Sequence, residues 1–273
     1  MPQSLCSGCA AGGDDQLIEV FTEGFTYTQI VLVMLAMFVG GVCKGIIGVA
    51  LPLVGISVMV MLLDPKLAVA MIVIPIFLTN LQMAMRSGVN ELLEALFRFW
   101  PLIVTCFATL FTVALFATQL PSSTIVIGLG LALLVFVLAN VSPWKPAVPA
   151  HVEKPVGALV GVVSGALGGA TSVYGPPITM FLLASGVPKT KWSASVGVTF
   201  TRGSMPLLAG YILNGTITPA VAAISTAACI PAFIGMWLGF KLQDAMAPDT
   251  FRKVLMAGLF IMALNLLRKG FFG

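Results

Sequence analysis

Ser164-Gly165-Ala166-Leu167-Gly168-Gly169-Ala170-Thr171-Ser172-Val173-Tyr174-Gly175-Pro176-Pro177 lies inside a long apolar region, yet it carries four glycines and two prolines in fourteen positions. Glycine is conformationally loose and proline lacks a backbone donor, so a smooth helix cannot run through it. In hydrocarbon an unpaired peptide group costs several kcal/mol, so irregular backbone survives only inside protein or beside a wet cavity. The stretch therefore predicts a broken helix, and the break marks a site.

Composition sets the surroundings of that break. The chain is 59% hydrophobic and 9% charged, with a mean hydropathy of +1.06. A soluble domain of 273 residues needs far more polar surface. Apolar runs of about 20 residues recur from Tyr27 onward, each long enough to cross a bilayer. The fold class is thus all-α and polytopic. The net charge of +4 calls for no nucleic acid, because cytoplasmic loops collect Lys and Arg.

An earlier stretch echoes the break. Gly41, Lys44, Gly45 and Gly48 match Gly161, Ser164, Gly165 and Gly168 at an offset of 120, and Asp64-Pro65-Lys66 matches Val187-Pro188-Lys189 at 123. Each copy is followed by a polar-dotted apolar segment, Leu67–Arg86 and Trp192–Leu213. Such order predicts an internal duplication. Residues 1–26 read as an extracytoplasmic tail whose only charges are acidic, and whose Cys6 and Cys9 lack partners for a metal. Residues 27–140 form a first membrane repeat, 141–154 a cytoplasmic connector, and 155–273 a second repeat.

The segments expected are Tyr27–Cys43, Gly45–Leu63, Leu67–Met85, Phe99–Thr118 and Ser123–Asn140, then Pro155–Val173, Pro176–Gly186, Trp192–Leu213, Ile217–Phe240 and Phe251–Leu267. That makes ten, in two inverted sets of five. The short pair 45–63 and 176–186 is compatible with re-entrant segments. With the tail outside, ten basic residues fall on the cytoplasmic side and three, Lys66, Arg268 and Lys269, outside. This is the bias that membrane insertion imposes. Both termini are then extracytoplasmic.

No Asp, Glu or His lies within a predicted span. Cation carriers and proton relays place carboxylates in the membrane, so those classes are disfavoured. An intramembrane enzyme lacks its base or metal ligand, and no metal or other cofactor is implied. The intramembrane charges are positive. Lys44 stands beside the first break, and Arg202 lies within 192–213 near Thr201. Pro176-Pro177 suits the first turn of a new helix, whose free amides and dipole would face the break and cradle an anion. Ser164, Thr171, Ser172 and Tyr174 offer hydroxyls, Gly168 and Gly169 close backbone approach, and Asn80 and Gln82 occupy the segment corresponding to that of Arg202. Gly157, Gly161 and Gly165 form a small-residue stripe of the kind that packs helices.

At these residues the chain resembles the TauE/SafE sulfite exporter family, also called the toluene sulfonate uptake permeases. The resemblance covers roughly residues 28–268 and rests on two five-segment halves, each opening with a glycine-rich break. It implies a multi-pass protein of the bacterial inner membrane that moves sulfite, organosulfonates or related small anions by alternating access around a buried positive site. Its partners are then the anion and the lipid bilayer, with a homodimer compatible. An anion channel, or a carrier of small carboxylates, is the competing reading.

Overall fold

The computed structural model describes residues 26–48, 50–85, 88–141, 147–245 and 248–272; the tail before residue 26 and connector residues 142–146, Lys145 among them, lie outside the described residues. The chain is helical, and no strand occurs among the described residues. The first half contains α1 (Tyr27–Ile47), α2 (Leu51–Leu62), α3 (Pro65–Met85), α4 (Val89–Arg98), α5 (Trp100–Leu115), a short 3-10 turn (Ala117–Gln119) and α6 (Ser122–Val141). A second 3-10 turn (Ala150–Val152) leads into α7 (Glu153–Thr171), α8 (Gly175–Ala184), α9 (Lys189–Leu213), α10 (Pro219–Ala227), α11 (Cys229–Ala245) and α12 (Pro248–Phe272).

Four stretches among the described residues are long and apolar enough to cross a membrane: Tyr27–Ile46, Pro65–Met85, Ser122–Ala139 and Pro219–Leu242. A fifth is α5 together with α4, which meet at an angle of 77°. Glycine and hydroxyl residues dilute the hydropathy of α7, though at 19 residues it is of spanning length. Outward faces are greasy: Val31 and Leu35 on α1, Leu131, Val135 and Leu138 on α6, and Ile230, Ile234 and Trp237 on α11 are exposed. Apolar surface on this scale needs lipid rather than water. The protein is an integral membrane protein.

Both breaks are helical hairpins. Helix α1 ends at Gly48, whose φ of 94° is left-handed and whose N–H reaches the Lys44 carbonyl. Helix α2 then folds back along α1, so a Cβ on Gly40 would stand 3.0 Å from the Leu51 carbonyl oxygen and one on Gly55 would meet Met37. Helix α7 ends the same way at Ser172, whose N–H reaches the Gly168 carbonyl, and α8 folds back until Phe181 lies over Gly157. Left-handed Gly48 and Ser172, helix starts Leu51 and Gly175, and helix starts Pro65 and Lys189 are each 124 positions apart. The offset of 120 expected from glycine matches is therefore corrected by four residues. That is about one helical turn, because a stripe of small residues every fourth position matches itself equally well after such a slip.

The glycines set how closely helices pack. Gly41 and Gly45 on α1 press on α11, where a Cβ on either would overlap a backbone carbonyl, that of Ala232 or Met236. Gly161 and Gly165 do the same on α5. Thr105 seals that seam by donating to the Ala158 carbonyl at 2.9 Å. The stripe Gly157, Gly161, Gly165 is thus a packing face, as its spacing predicts. The helix pairs α1–α11 and α5–α7 have the most extensive contacts, followed by α6–α12 and α3–α9. Exchanging the two halves maps the first pair onto the second and leaves the last two unchanged.

Helix α4 was not expected. Its apolar residues Val89, Leu93 and Phe97 recur every fourth position and are exposed, while Glu91 and Glu94 lie between them and Arg98 follows. Pro101 ends it, because the proline ring clashes with the carbonyl four residues earlier.

Candidate functional site

The two hairpin turns meet at a small pocket of about 10 Å³, room for one water-sized group. It is lined by Lys44, Pro52, Leu53, Ile76, Asn80, Ser172, Val173, Tyr174, Gly175, Pro176 and Phe200. Both hairpins, α3 and α9 contribute. Pro52 and Pro176 each sit in the first turn of a half-helix, where a missing N–H costs no intrahelical bond. The amides of Leu51, Leu53 and Gly175 have no intrahelical partner by the same geometry. Two positive helix ends therefore converge on one point.

Lys44 is the one charged residue among those lining the cavity, and it is 2% exposed. Its Nζ donates to Thr79 Oγ1 at 2.9 Å and to Asn80 Oδ1. Asn80 Nδ2 in turn donates to Tyr174 Oη at 3.1 Å and to the Phe200 carbonyl at 3.4 Å, and Tyr174 Oη donates to that carbonyl at 2.9 Å. Tyr174 and Phe200 also meet edge to face, ring centroids 5.6 Å apart. The network runs from α1 through α3 into the second half. It contains no carboxylate: Asp64, Glu91 and Glu94 are exposed, and Glu153 is paired with Arg98. No group of three or more His, Cys, Asp or Glu occurs among the described residues.

Ser172 is the one non-glycine residue with a positive φ, 58°, among the described residues. Left-handed backbone costs an ordinary residue about 1–2 kcal/mol. Its hydroxyl is fully buried and without a hydrogen-bond partner. A buried hydroxyl at a strained turn, on the wall of a cavity with one lysine and two helix amino ends, is a donor held ready for an acceptor.

The expected site residues separate into two groups. Lys44, Asn80, Ser172 and Tyr174 line the cavity. Ser164 and Thr201 are buried with unpartnered hydroxyls but do not line it. Thr171 closes the end of α7, donating to the Leu167 carbonyl at 2.7 Å and accepting from the Val173 amide. Gly168 makes room for Tyr174, and Gly169 for Val113. Both are packing positions rather than backbone cradles, because each sits against a neighbour where a Cβ would clash. Gln82 is exposed. Arg202 is placed away from the pocket. It lies on the exposed stripe of α9 with Met205 and Ile212, while Phe200, Thr201 and Ser204 face inward. Each residue turns a helix by about 100°, so Arg202 stands well round the helix from the cavity-lining Phe200.

Thr79 and Phe200 were missed. Thr79 carried a signal, since it is the polar neighbour of Asn80 in an apolar run. Phe200 carried none.

This arrangement provides a positive, hydroxyl-bearing pocket between two hairpins, suited to holding a small anion. Comparison with curated proteins and with solved structures returned no match. The family model described as Sulfite exporter TauE/SafE matches residues 33–266. The chain therefore belongs to the TauE/SafE sulfite exporter family, a family of membrane transporters for sulfite and related anions rather than of enzymes.

Proposed function

We propose that this protein exports a small sulfur-containing anion, such as sulfite or an organosulfonate, across the bacterial inner membrane by alternating access. Lys44 supplies the countercharge, and the amino ends of α2 and α8, Ser172 and Tyr174 supply the remaining donors. The halves 27–140 and 155–273 act as inverted repeats, with both termini outside and the Arg98 end of α5 at the cytoplasm. The carrying observation is the single buried lysine facing two helix amino ends with no carboxylate beside it.

The energetics follow from the missing carboxylate. With no acidic side chain in the site to take up a coupled proton, the membrane potential is the available drive. One charge is worth about 2.3 kcal/mol per 100 mV, and an interior negative potential expels anions. In sulfite-loaded proteoliposomes, a potassium–valinomycin potential negative inside is expected to speed exit without any pH gradient. Flux that ignores the potential and follows a pH gradient sinks the uncoupled mechanism.

Ser172 offers a sharper test of the pocket. Ser172→Gly is expected to raise thermal stability by up to about 1 kcal/mol through relief of the left-handed strain. It should weaken sulfite binding by about tenfold through loss of the hydroxyl. Ser172→Ala should weaken binding equally without the gain in stability. Unchanged binding in both variants means that the hydroxyl does not reach the anion.

A further inference from the structure

Each half-helix points its amino end at Lys44, and each has its carboxyl end held by a cation from elsewhere in the fold. Beyond α8, the Arg98 guanidinium donates to the Ser185 carbonyl at 2.8 Å and pairs with Glu153, also at 2.8 Å. The amide of Val148 adds a bond to the Ala184 carbonyl, again 2.8 Å. At the end of α2, Lys269 Nζ on α12 donates to the Val60 carbonyl at 2.9 Å. The last carbonyls of a helix lack intrahelical partners and form its negative pole, so a cation there satisfies the carbonyl and holds the end in place.

The two attachments lie at opposite ends of the bundle. Helix α5 starts beside Arg98 and runs 16 residues, about 24 Å at the helical rise. It ends at the turn where Lys66, four residues past α2, donates to the Thr118 carbonyl at 2.7 Å. The hairpins agree with this. Helix α8 returns to the end where α7 begins at Glu153, and α2 ends near Lys66 at the other. Each half-helix thus stands between the cavity and one face of the molecule.

We infer that Arg98 and Lys269 are positioning residues, each tethering one half-helix over the anion site, so that loss of one tether opens the site to one membrane face only. The inference rests on reading the cavity as the transport site. A nearby pair, Lys191 with Glu94 at 2.6 Å, does not serve as a tether, because both side chains are about half exposed, 45% and 58%, and such pairs hold little.

The test is sided labelling of full-length protein in oriented membrane vesicles. Cys6, Cys9, Cys43, Cys106 and Cys229 are first changed to serine, and Ser172→Cys places a reporter in the cavity wall. An impermeant thiol reagent is then applied from each face. Arg98→Gln is expected to speed labelling about tenfold from the Arg98 face alone, the shift from losing one charge-assisted hydrogen bond. Lys269→Gln should do the same from the opposite face alone. Arg98→Lys and Lys269→Arg should restore slow labelling, and Lys191→Gln should leave it unchanged. Glu153→Gln loosens Arg98 without removing it, and should open the same face more weakly if Arg98→Gln does not fold. Labelling that rises from both faces, or from neither, overturns the inference. Sulfite titration of the same tether variants with Ser172 retained keeps the two readings apart. Sided labelling without sulfite binding leaves the tethers standing and the substrate assignment fallen, and sulfite binding without sidedness does the reverse.

Discussion

Lys44→Met is expected to abolish measurable anion binding while the protein remains folded. The cavity offers one positive side chain, so the variant loses the charge-assisted bond to the anion, worth up to about 3 kcal/mol or roughly a hundredfold in affinity. Folding gains and loses little. A lysine at the centre of a membrane helix costs about 2.5–3.5 kcal/mol on insertion scales, and at Lys44, in the last turn of α1, methionine removes a part of such a cost. Thr79 keeps its bond to the Pro75 carbonyl at 2.6 Å, so the Asn80 oxygen is the main acceptor left short, at about 1 kcal/mol. Calorimetric titration with sulfite and thermal unfolding, run on the same detergent-solubilised preparation, separate the two effects. Parental affinity in the variant would remove Lys44 from the site. Arg202→Ala, by contrast, is expected to leave sulfite affinity unchanged.

Gly239→Val is expected to destroy the fold. A Cβ there overlaps the Val42 carbonyl and stands 2.9 Å from the Gly45 Cα, so nothing flexible can move aside. Gly235 meets the Phe38 carbonyl in the same way, which makes α1 and α11 touch backbone to backbone over successive turns. Overpacking into side chains alone costs about 1–3 kcal/mol, and here two helices must part. The measurement is size-exclusion and thermal unfolding after solubilisation, with Gly88→Ala as the control. A Cβ on Gly88 meets nothing within 4 Å, so that variant should lose no more than about 1 kcal/mol, through the poorer N-cap of α4. A monodisperse Gly239→Val protein of parental stability would mean that the two helices do not cross this closely.

The break was legible because glycine and proline have no cheap place in hydrocarbon except a site. Lys44, Ser172 and Tyr174 were legible for a related reason: each is a polar residue at or near a break, and Asn80 is a polar residue inside an apolar helix, and such residues turn toward protein. What failed was rotation. From Ala194 to Thr201 every residue of α9 is buried, so that stretch carries no apolar stripe to say which side faces the cavity. Arg202 was placed in the site by its charge, whereas about half a turn of the helix separates it from Phe200. Helix α4 was hidden in the opposite way. Its stripe was readable in Val89, Leu93 and Phe97, but alternating charges kept it out of any search for continuous apolar runs. Each expected segment overlaps a helix in chain order, with Ile217–Phe240 divided between α10 and α11 and α4 outside them all.

The opposed half-helices have an electrical consequence. In the proposed arrangement their amino ends share one point and their carboxyl ends lie toward opposite faces, so their dipoles oppose and largely cancel along the membrane normal. A swing of either one displaces little fixed charge across the membrane. Currents recorded during turnover would therefore count the anion itself, less whatever small movement Lys44 makes, and the charge carried per cycle becomes a direct measure of the ionisation state in which the substrate crosses.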